Sequence, residues 1–196
     1  MDSAGIINEI WRTITASVNY QVSNIGRVRN TATGSILAPW NNHGYLEVFL
    51  YDNGERRRRY IHRLVAKEFV DNPENKPCVD HINGDDKTNN SLSNIRWATR
   101  SENNMNTRKT SHSNSSRFKG VCWCKQRRKW ISQIHKDKRK YHLGFFHDEK
   151  EAARAYNRRA MELFGEFAHL NCLSEDDDDD GEETRLSGDP LNTHYL

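Results

Sequence analysis

VDHINGDDKTNNSLSNIRWATRSENN, residues 79–104, sets a carboxylate and an imidazole side by side at Asp80 and His81, then an amide at Asn94 and another at Asn103. Pro77 to Ile82 reads as a strand that stops at Asn83-Gly84, where turn chemistry begins. Asn94 to Thr99 reads as a returning strand, and Ser101 as the start of a helix running to about Arg108. Successive strand residues point to opposite faces, so Asp80 and His81 can converge on one ligand only if the strand ends there. Asp80 offers an oxygen donor of the kind Mg²⁺ prefers and the Asn103 amide oxygen a second, with water and substrate filling the rest. His81 titrates near neutral pH and suits a general base for an attacking water. Asn94 is placed to hold the long polar loop and so to orient His81. Phosphodiester hydrolysis needs a nucleophilic water, neutralised phosphate charge and an assisted leaving oxygen, and this set with one divalent cation could supply them.

Working outward, Ile61 to Phe69 carries apolar residues at 61, 64, 65 and 69, the spacing of a short amphipathic helix that Asn72-Pro73 stops. Ahead of it lie short β runs at 20–22, 26–28, 34–37 and 44–50, parted by Asn and Gly. Asp52-Asn53-Gly54 signals a hairpin leading into Arg56 to Ile61. Four consecutive arginines, Arg56, Arg57, Arg58 and Arg59, cannot all be buried in one strand, so some must face solvent or phosphate.

After Arg108 the pattern changes. Residues 109–116 contain no apolar side chain and read as a flexible linker. Three β runs (118–124, 129–135, 139–146) precede a helix from Glu149 to about Phe164. Asp148 is its expected N-cap with Glu151 closing a capping box, Ala152, Tyr156, Ala160 and Leu163 its inward stripe, and Gly165 its C-terminal cap. Trp130, Ser132 and Ile134 share one sheet face and Ile131, Gln133 and His135 the other. Tyr141 and Leu143 belong with the buried set, which leaves Gln133, His135, Lys140 and His142 on a face fit to enter a major groove. Trp123 and Trp130 are expected in the core.

The chain has 196 residues, 35% of them apolar and 29% charged, so its cores must be small. Its net charge of +3 conceals a division. Residues 174–196 hold nine acidic side chains and one arginine, which leaves 29 Lys+Arg against 18 Asp+Glu, or +11, on residues 1–173. A body that basic favours a polyanionic partner, while the acidic tail buries too little to fold. The four cysteines form no C-x-x-C pair, and free intracellular thiols are expected. No stretch approaches the ~20 apolar residues of a membrane span.

These motifs carry three resemblances. HRLVAKEF (62–69), NPENKP (72–77), VDHINGDDKTNN (79–90) and SNIRWATRSENN (93–104) resemble the HNH, or ββα-metal, endonucleases of the homing type. The resemblance implies Asp80 and Asn103 as metal ligands, His81 as general base and Asn94 as loop support, with Asn104 and Asn106 as neighbouring alternatives on the helix. It gives His62 a structural or phosphate-contacting role. EIWRTI (9–14), YQVSNIGRVRN (20–30) and GYLEVFLYDNG (44–54) look like the small module found ahead of many such nucleases, with Arg27, Arg29 and Arg56 to Arg59 as implied phosphate contacts. FKGVCWCKQRRKWISQI (118–134), YHLGFF (141–146) and EAARAYNRRAMELFG (151–165) resemble the DNA-binding domain of plant ethylene-response factors. That family reads DNA with its sheet, often through arginines near the first strand. Cys122 and Cys124 stand in two of those places, so its sequence preference does not carry over; Lys119, Lys125, Arg127 and Arg128 remain as backbone contacts.

The expected architecture is therefore α+β and modular: a β-rich nuclease-associated module (1–60), a ββα-metal core (61–108), a linker (109–116), a three-stranded antiparallel sheet plus helix (117–172) and a disordered acidic tail (173–196). The expected function is a site-specific, homing-type endonuclease using Mg²⁺ or Mn²⁺ on double-stranded DNA. No membrane and no small-molecule cofactor beyond the metal are expected, and the protein is expected in the nucleus or cytoplasm of the host cell. The competing reading is a non-catalytic, sequence-specific DNA-binding regulator with a vestigial nuclease core.

Overall fold

In the computed structural model, which describes residues 8–52, 54–108 and 115–173, short apolar runs separated by Asn and Gly fold as hairpins. Strands β1 (Trp11–Ile14), β2 (Ser17–Ser23) and β3 (Val28–Asn30) form one antiparallel sheet, and β4 (Trp40–Asn42), β5 (Tyr45–Asp52) and β6 (Glu55–Tyr60) form another. The run at 34–37 contributes only an isolated bridge between Ile36 and Arg29, while β1 and β4 are strands that the apolar pattern did not single out. Asn53 of the expected hairpin turn, residues 109–114 of the linker and the acidic tail from 174 lie outside the described residues. Among the described residues, no helix is long and apolar enough to cross a membrane.

Helix α1 (Ile61–Phe69) follows β6 without a break and matches the expected span. It ends at Val70, whose extended backbone (φ −114°, ψ 121°) leads into Asn72-Pro73. Its apolar face closes a single core that joins Val22 and Val28 of the first sheet, Val48 and Leu50 of the second, and Ile95 of the next hairpin. The expected boundary after Tyr60 thus runs through a shared core. Arg12 over the Phe69 ring at 4.6 Å, and Thr15 bound to the Glu68 carboxylate at 2.9 Å, fasten the helix end to the first sheet.

Strands β7 (Cys78–His81) and β8 (Ile95–Ala98) form a two-stranded hairpin, followed by α2 (Arg100–Met105). This helix begins one residue before the expected Ser101 and stops short of Arg108. Thr99 caps it, accepting from the Glu102 amide while the Glu102 carboxylate accepts from the Thr99 amide, so both orphan donors are satisfied. The C-terminal unit has β9 (Val121–Cys124), β10 (Lys129–Lys136) and β11 (Arg139–Phe146) in the order β11-β10-β9, backed by α3 (Glu149–Phe164). Asp148 accepts from the Glu151 amide at 2.7 Å, the forward half of the expected box. Trp130 packs into the Phe118–Val121–Ala152 cluster, but Trp123 is 38% exposed and meets Trp130 only edge-on, contrary to its expected place in the core. Ser115 and Ser116, expected in the linker, instead accept from the Trp123 and Phe118 amides and belong to this unit.

Two features of these cores yield measurable consequences. Gly120 has φ +76°, and a Cβ there would lie 2.1 Å from the Tyr156 ring and 2.6 Å from the Gln133 carbonyl oxygen. Gly120→Ala is therefore expected to destabilise the C-terminal unit by more than about 2 kcal/mol, measured by chemical denaturation. His62, carried inward by α1, is only 6% exposed, and burial pushes its pKa down to about 3. The folded ring stays neutral while the unfolded ring takes a proton below its ordinary value of 6.5, so this contribution is lost as pH falls from about 6.5 toward 3. Between pH 7 and 5 the wild type should lose about 2 kcal/mol more unfolding free energy than His62→Phe. Equal losses would mean that the buried ring protonates in place.

Candidate functional site

The β7–β8 hairpin opposes Asp80 to Arg96 and His81 to Ile95. Because β7 ends at His81, both Asp80 and His81 reach one cleft of about 310 Å³, lined also by Tyr45, Lys87, Asn103, Asn106 and Arg108. The structure thus brings Asp80, His81 and Asn103 together; Asn94 and Asn104 are not among the lining residues.

Asn94 acts on the loop. Its Oδ1 accepts from the Asn83 amide at 2.8 Å, its Nδ2 donates to the Asn89 carbonyl at 2.8 Å, and its own carbonyl accepts from the Ile82 amide at 2.8 Å. These bonds close the loop that runs from Asn83 to Asn89. The residue that meets His81 is Asn90, whose Oδ1 lies 3.1 Å from His81 Nε2. Asn90 Nδ2 donates to the Thr88 carbonyl at 3.1 Å, which turns the amide oxygen toward the imidazole. An oxygen acceptor there places the proton on Nε2 and leaves the Nδ1 lone pair as the basic site. Gly26, in the β2–β3 turn, supports Asn90 from behind: at φ +83° it comes so close that a Cβ would lie 2.7 Å from the Asn90 Cβ.

Burial is the main influence on His81 and pushes its pKa down, against the Asn90 hydrogen bond and the charges of Asp80 and Asp86. The ring is neutral at pH 7 and ready to accept a proton. Its ring centre lies 5.1 Å from that of His62, the two planes tilted by 56°, and His62 also contacts Tyr45 and Tyr60 at 5.4 Å each.

Asp80 is 6% exposed and is held by two neighbouring side chains. Arg96 Nε donates to its Oδ2 at 2.9 Å, Arg96 Nη2 lies 2.8 Å from the same oxygen, and Asn106 Nδ2 donates to the carboxylate at 3.1–3.2 Å. Asn106 thus turns its NH₂ group, not its oxygen, to Asp80, which leaves the Asn103 amide as the better second oxygen donor in the cleft. A carboxylate and an amide on one cleft, with room for water, fit a hard divalent cation. Among the described residues no three His, Cys, Asp or Glu side chains gather into a closed metal cage, so a tetrahedral structural site of the zinc type has no donors here.

The expected nucleic-acid contacts divide. Arg56 to Arg58 are exposed on β6, and Arg59 is half-buried. Arg56 lies 3.7 Å over Phe49, and Arg57 and Arg58 pair with Glu55 at 2.7 Å and Glu47 at 3.4 Å. Arg58 and Arg59 join Arg63 and Lys67 of α1 around a cleft of about 590 Å³, where the one acid, Glu68, is already bound by Thr15. Helix periodicity alone assigns Arg63 and Lys67 to a solvated face, and only the fold brings them to this cleft. Arg27 is paired with Glu9, and Arg29 binds Gln21 at 2.8 Å and covers Trp11 at 4.2 Å. In the C-terminal unit Lys125, Arg127 and Arg128 are exposed in the β9–β10 turn. His135, Lys140 and His142 are exposed on one sheet face, with Gln133 half-buried beside them and paired across the strands to His142. Lys119 departs from expectation: its ammonium turns inward to donate to the Met105 and Thr107 carbonyls at 2.7 Å each, and burial pulls its pKa down to about 8.

With this geometry established, known proteins supply the context. Residues 59–105 match a family model described as HNH endonuclease, and residues 9–51 match the NUMOD4 motif. The chain is 46% identical over 101 residues to the uncharacterized HNH endonuclease L247 of Acanthamoeba polyphaga mimivirus, covering 49% of this chain and 25% of that protein. It is 38% identical over 82 residues to DNA endonuclease I-HmuI of Bacillus phage SP01, covering 41% and 47%. A solved structure titled "DNA binding and cleavage by the HNH homing endonuclease I-HmuI" aligns at 36% identity and TM-score 0.43, over 46% of this chain and 52% of that one. Protein 3.8 of Escherichia phage T7 is 34% identical over 92 residues, covering 47% of this chain and 74% of that protein. The chain spans between a quarter and a half of L247 and I-HmuI. Since the matched HNH model embraces the whole stretch that carries Asp80, His81, Asn94 and Asn103, and protein 3.8 is covered over most of its length, the chain belongs to the HNH endonuclease family.

Proposed function

We propose that the protein is a site-specific DNA endonuclease of the homing type that hydrolyses a phosphodiester, with His81 as general base and a single Mg²⁺ or Mn²⁺ held by Asp80 and Asn103. The observation that carries this reading is the cleft in which Asp80, His81 and Asn103 meet, with the His81 ring fixed by Asn90. HNH endonucleases work with a divalent metal ion, which when bound neutralises phosphate charge and assists the leaving oxygen.

The residues of the chain do the rest. The Nδ1 lone pair of His81 takes a proton from water as that water attacks phosphorus. Asn90 holds the opposite edge of the ring, so the imidazolium that forms keeps its donor at Nε2 satisfied. Asn94 keeps the loop closed behind it. The Arg58–Arg59–Arg63–Lys67 cleft grips the DNA backbone. The C-terminal sheet, resembling the ethylene-response-factor domain, presents Gln133, His135, Lys140 and His142 to base edges, with Lys125, Arg127 and Arg128 on flanking phosphates. A sheet of this kind suits a B-form major groove better than the deep, narrow groove of RNA.

In a plasmid-cleavage assay with Mg²⁺ or Mn²⁺, the wild type should cut while His81→Ala loses cutting by at least about 100-fold and still shifts duplex DNA. Tight duplex binding without cleavage by the wild type would favour the non-catalytic regulator instead. Arg63→Ala and Lys67→Ala should each weaken duplex binding across unrelated sequences and reduce the slope of log affinity against log salt by about 0.9. An unchanged slope would remove the basic cleft from the DNA path.

A further inference from the structure

We propose that Arg96 is a positioning residue that couples docking of the C-terminal unit to the aim of the Asp80 carboxylate, an inference that rests on Asp80 serving as a metal ligand. Arg96 stands opposite Asp80 in the β7–β8 hairpin, and the two side chains are 11% and 7% exposed. One edge of the guanidinium faces Asp80 Oδ2: Nε donates to it at 2.9 Å, while Nη2 lies 2.8 Å away as an ion-pair contact without hydrogen-bond geometry. The other edge belongs to the C-terminal unit: Nη1 donates to the Glu166 carbonyl at 2.8 Å and lies 3.4 Å from its carboxylate. The flat face rests on the Phe167 ring, 3.9 Å from its centre. A guanidinium is planar and stiff, so a group fixed on two edges and one face cannot shift against Glu166 and Phe167 without turning Asp80.

A second tether reaches the same carboxylate. Asn106, just past α2, donates to Asp80 and also to the His81 carbonyl at 2.7 Å. Its neighbours Met105 and Thr107 on either side are held by the Lys119 ammonium from the C-terminal unit. Both residues that orient Asp80 are therefore fixed by the unit that the sheet belongs to. Docking of the Gly165–Phe167 turn fixes Oδ2, and Asp80 can then present its carboxylate to the cleft in one orientation only. Removing such a support behind a ligand lowers metal affinity by about 10- to 100-fold in other sites.

The test measures Mn²⁺ affinity of the full chain by electron paramagnetic resonance titration, with duplex binding in EDTA and thermal unfolding followed in parallel. The paired substitution Glu166→Ala with Phe167→Ala touches neither Asp80 nor His81, yet should weaken Mn²⁺ binding about tenfold while the chain stays folded. Arg96→Lys keeps the charge but not the two-edged plane, and should show the same loss. If the paired substitution unfolds the chain, Phe167→Leu, which keeps the apolar contact and removes the ring face, carries the test with the same expected direction. Wild-type affinity in a folded Glu166/Phe167 or Phe167→Leu variant would overturn the coupling alone. A wild type whose Mn²⁺ binding matches that of Asp80→Ala would overturn the metal-centre reading and the coupling with it.

Discussion

Burial of one nine-residue helix face is the constraint on which the rest of the structure depends. Neither N-terminal sheet of three short strands has a core of its own, and the β7–β8 hairpin has only two strands of four residues each. Isolated hairpins of that size are marginal in water. Ile61, Leu64, Val65 and Ala66 give all three a common apolar surface. The same helix sets His62 against His81, so the packing that stabilises the fold also fixes the depth of the proposed base.

That placement makes the site a buried polar network. Asp80, His81, Asn90, Asn94 and Asn106 are all at most 6% exposed. Leaving one such group without a partner costs about 1–3 kcal/mol, and more for a charge. Each is paired: Asp80 with Arg96 and Asn106, His81 with Asn90, and Asn94 with both ends of the loop. A network satisfied to this degree favours a single geometry over a mobile one. The Asn-rich composition of the loop follows from it, because an amide is a short side chain that donates and accepts at once.

Much of this was legible in the residues, and the remainder was hidden for physical reasons. The spacing in Ile61–Phe69 and Glu149–Phe164 is long enough to express helical periodicity, and both helices appear with those bounds. Trp11–Ile14 and Trp40–Asn42 are too short and too exposed to show strand alternation, and only pairing with a neighbour makes them strands. The meeting of Asp80, His81 and Asn103 follows from where β7 stops. Asn90 stayed hidden because Asn89 and Asn90 are chemically identical and only the fold decides which one faces the imidazole. Arg96 stayed hidden because its partnership depends on cross-strand register, which a loop of thirteen residues leaves open. Lys119 misled for a similar reason: a lysine near a basic turn reads as a phosphate contact until two helix-end carbonyls claim it.

The two flanking units then have separate physical roles toward the same small hairpin. From the N-terminal side, Gly26 backs Asn90, and the Asn24 carbonyl accepts from the Leu92 amide at 2.7 Å, so that unit holds the loop behind His81. From the C-terminal side, Glu166, Phe167 and Lys119 hold the residues that grip Asp80. The proposed base and the candidate ligand are thus each supported by a different neighbour, although they are adjacent in sequence. A hairpin this small has too little interior of its own to fix two buried polar side chains in divergent surroundings. Packing it between two larger units solves that problem, and it makes the geometry of the cleft depend on both units being docked.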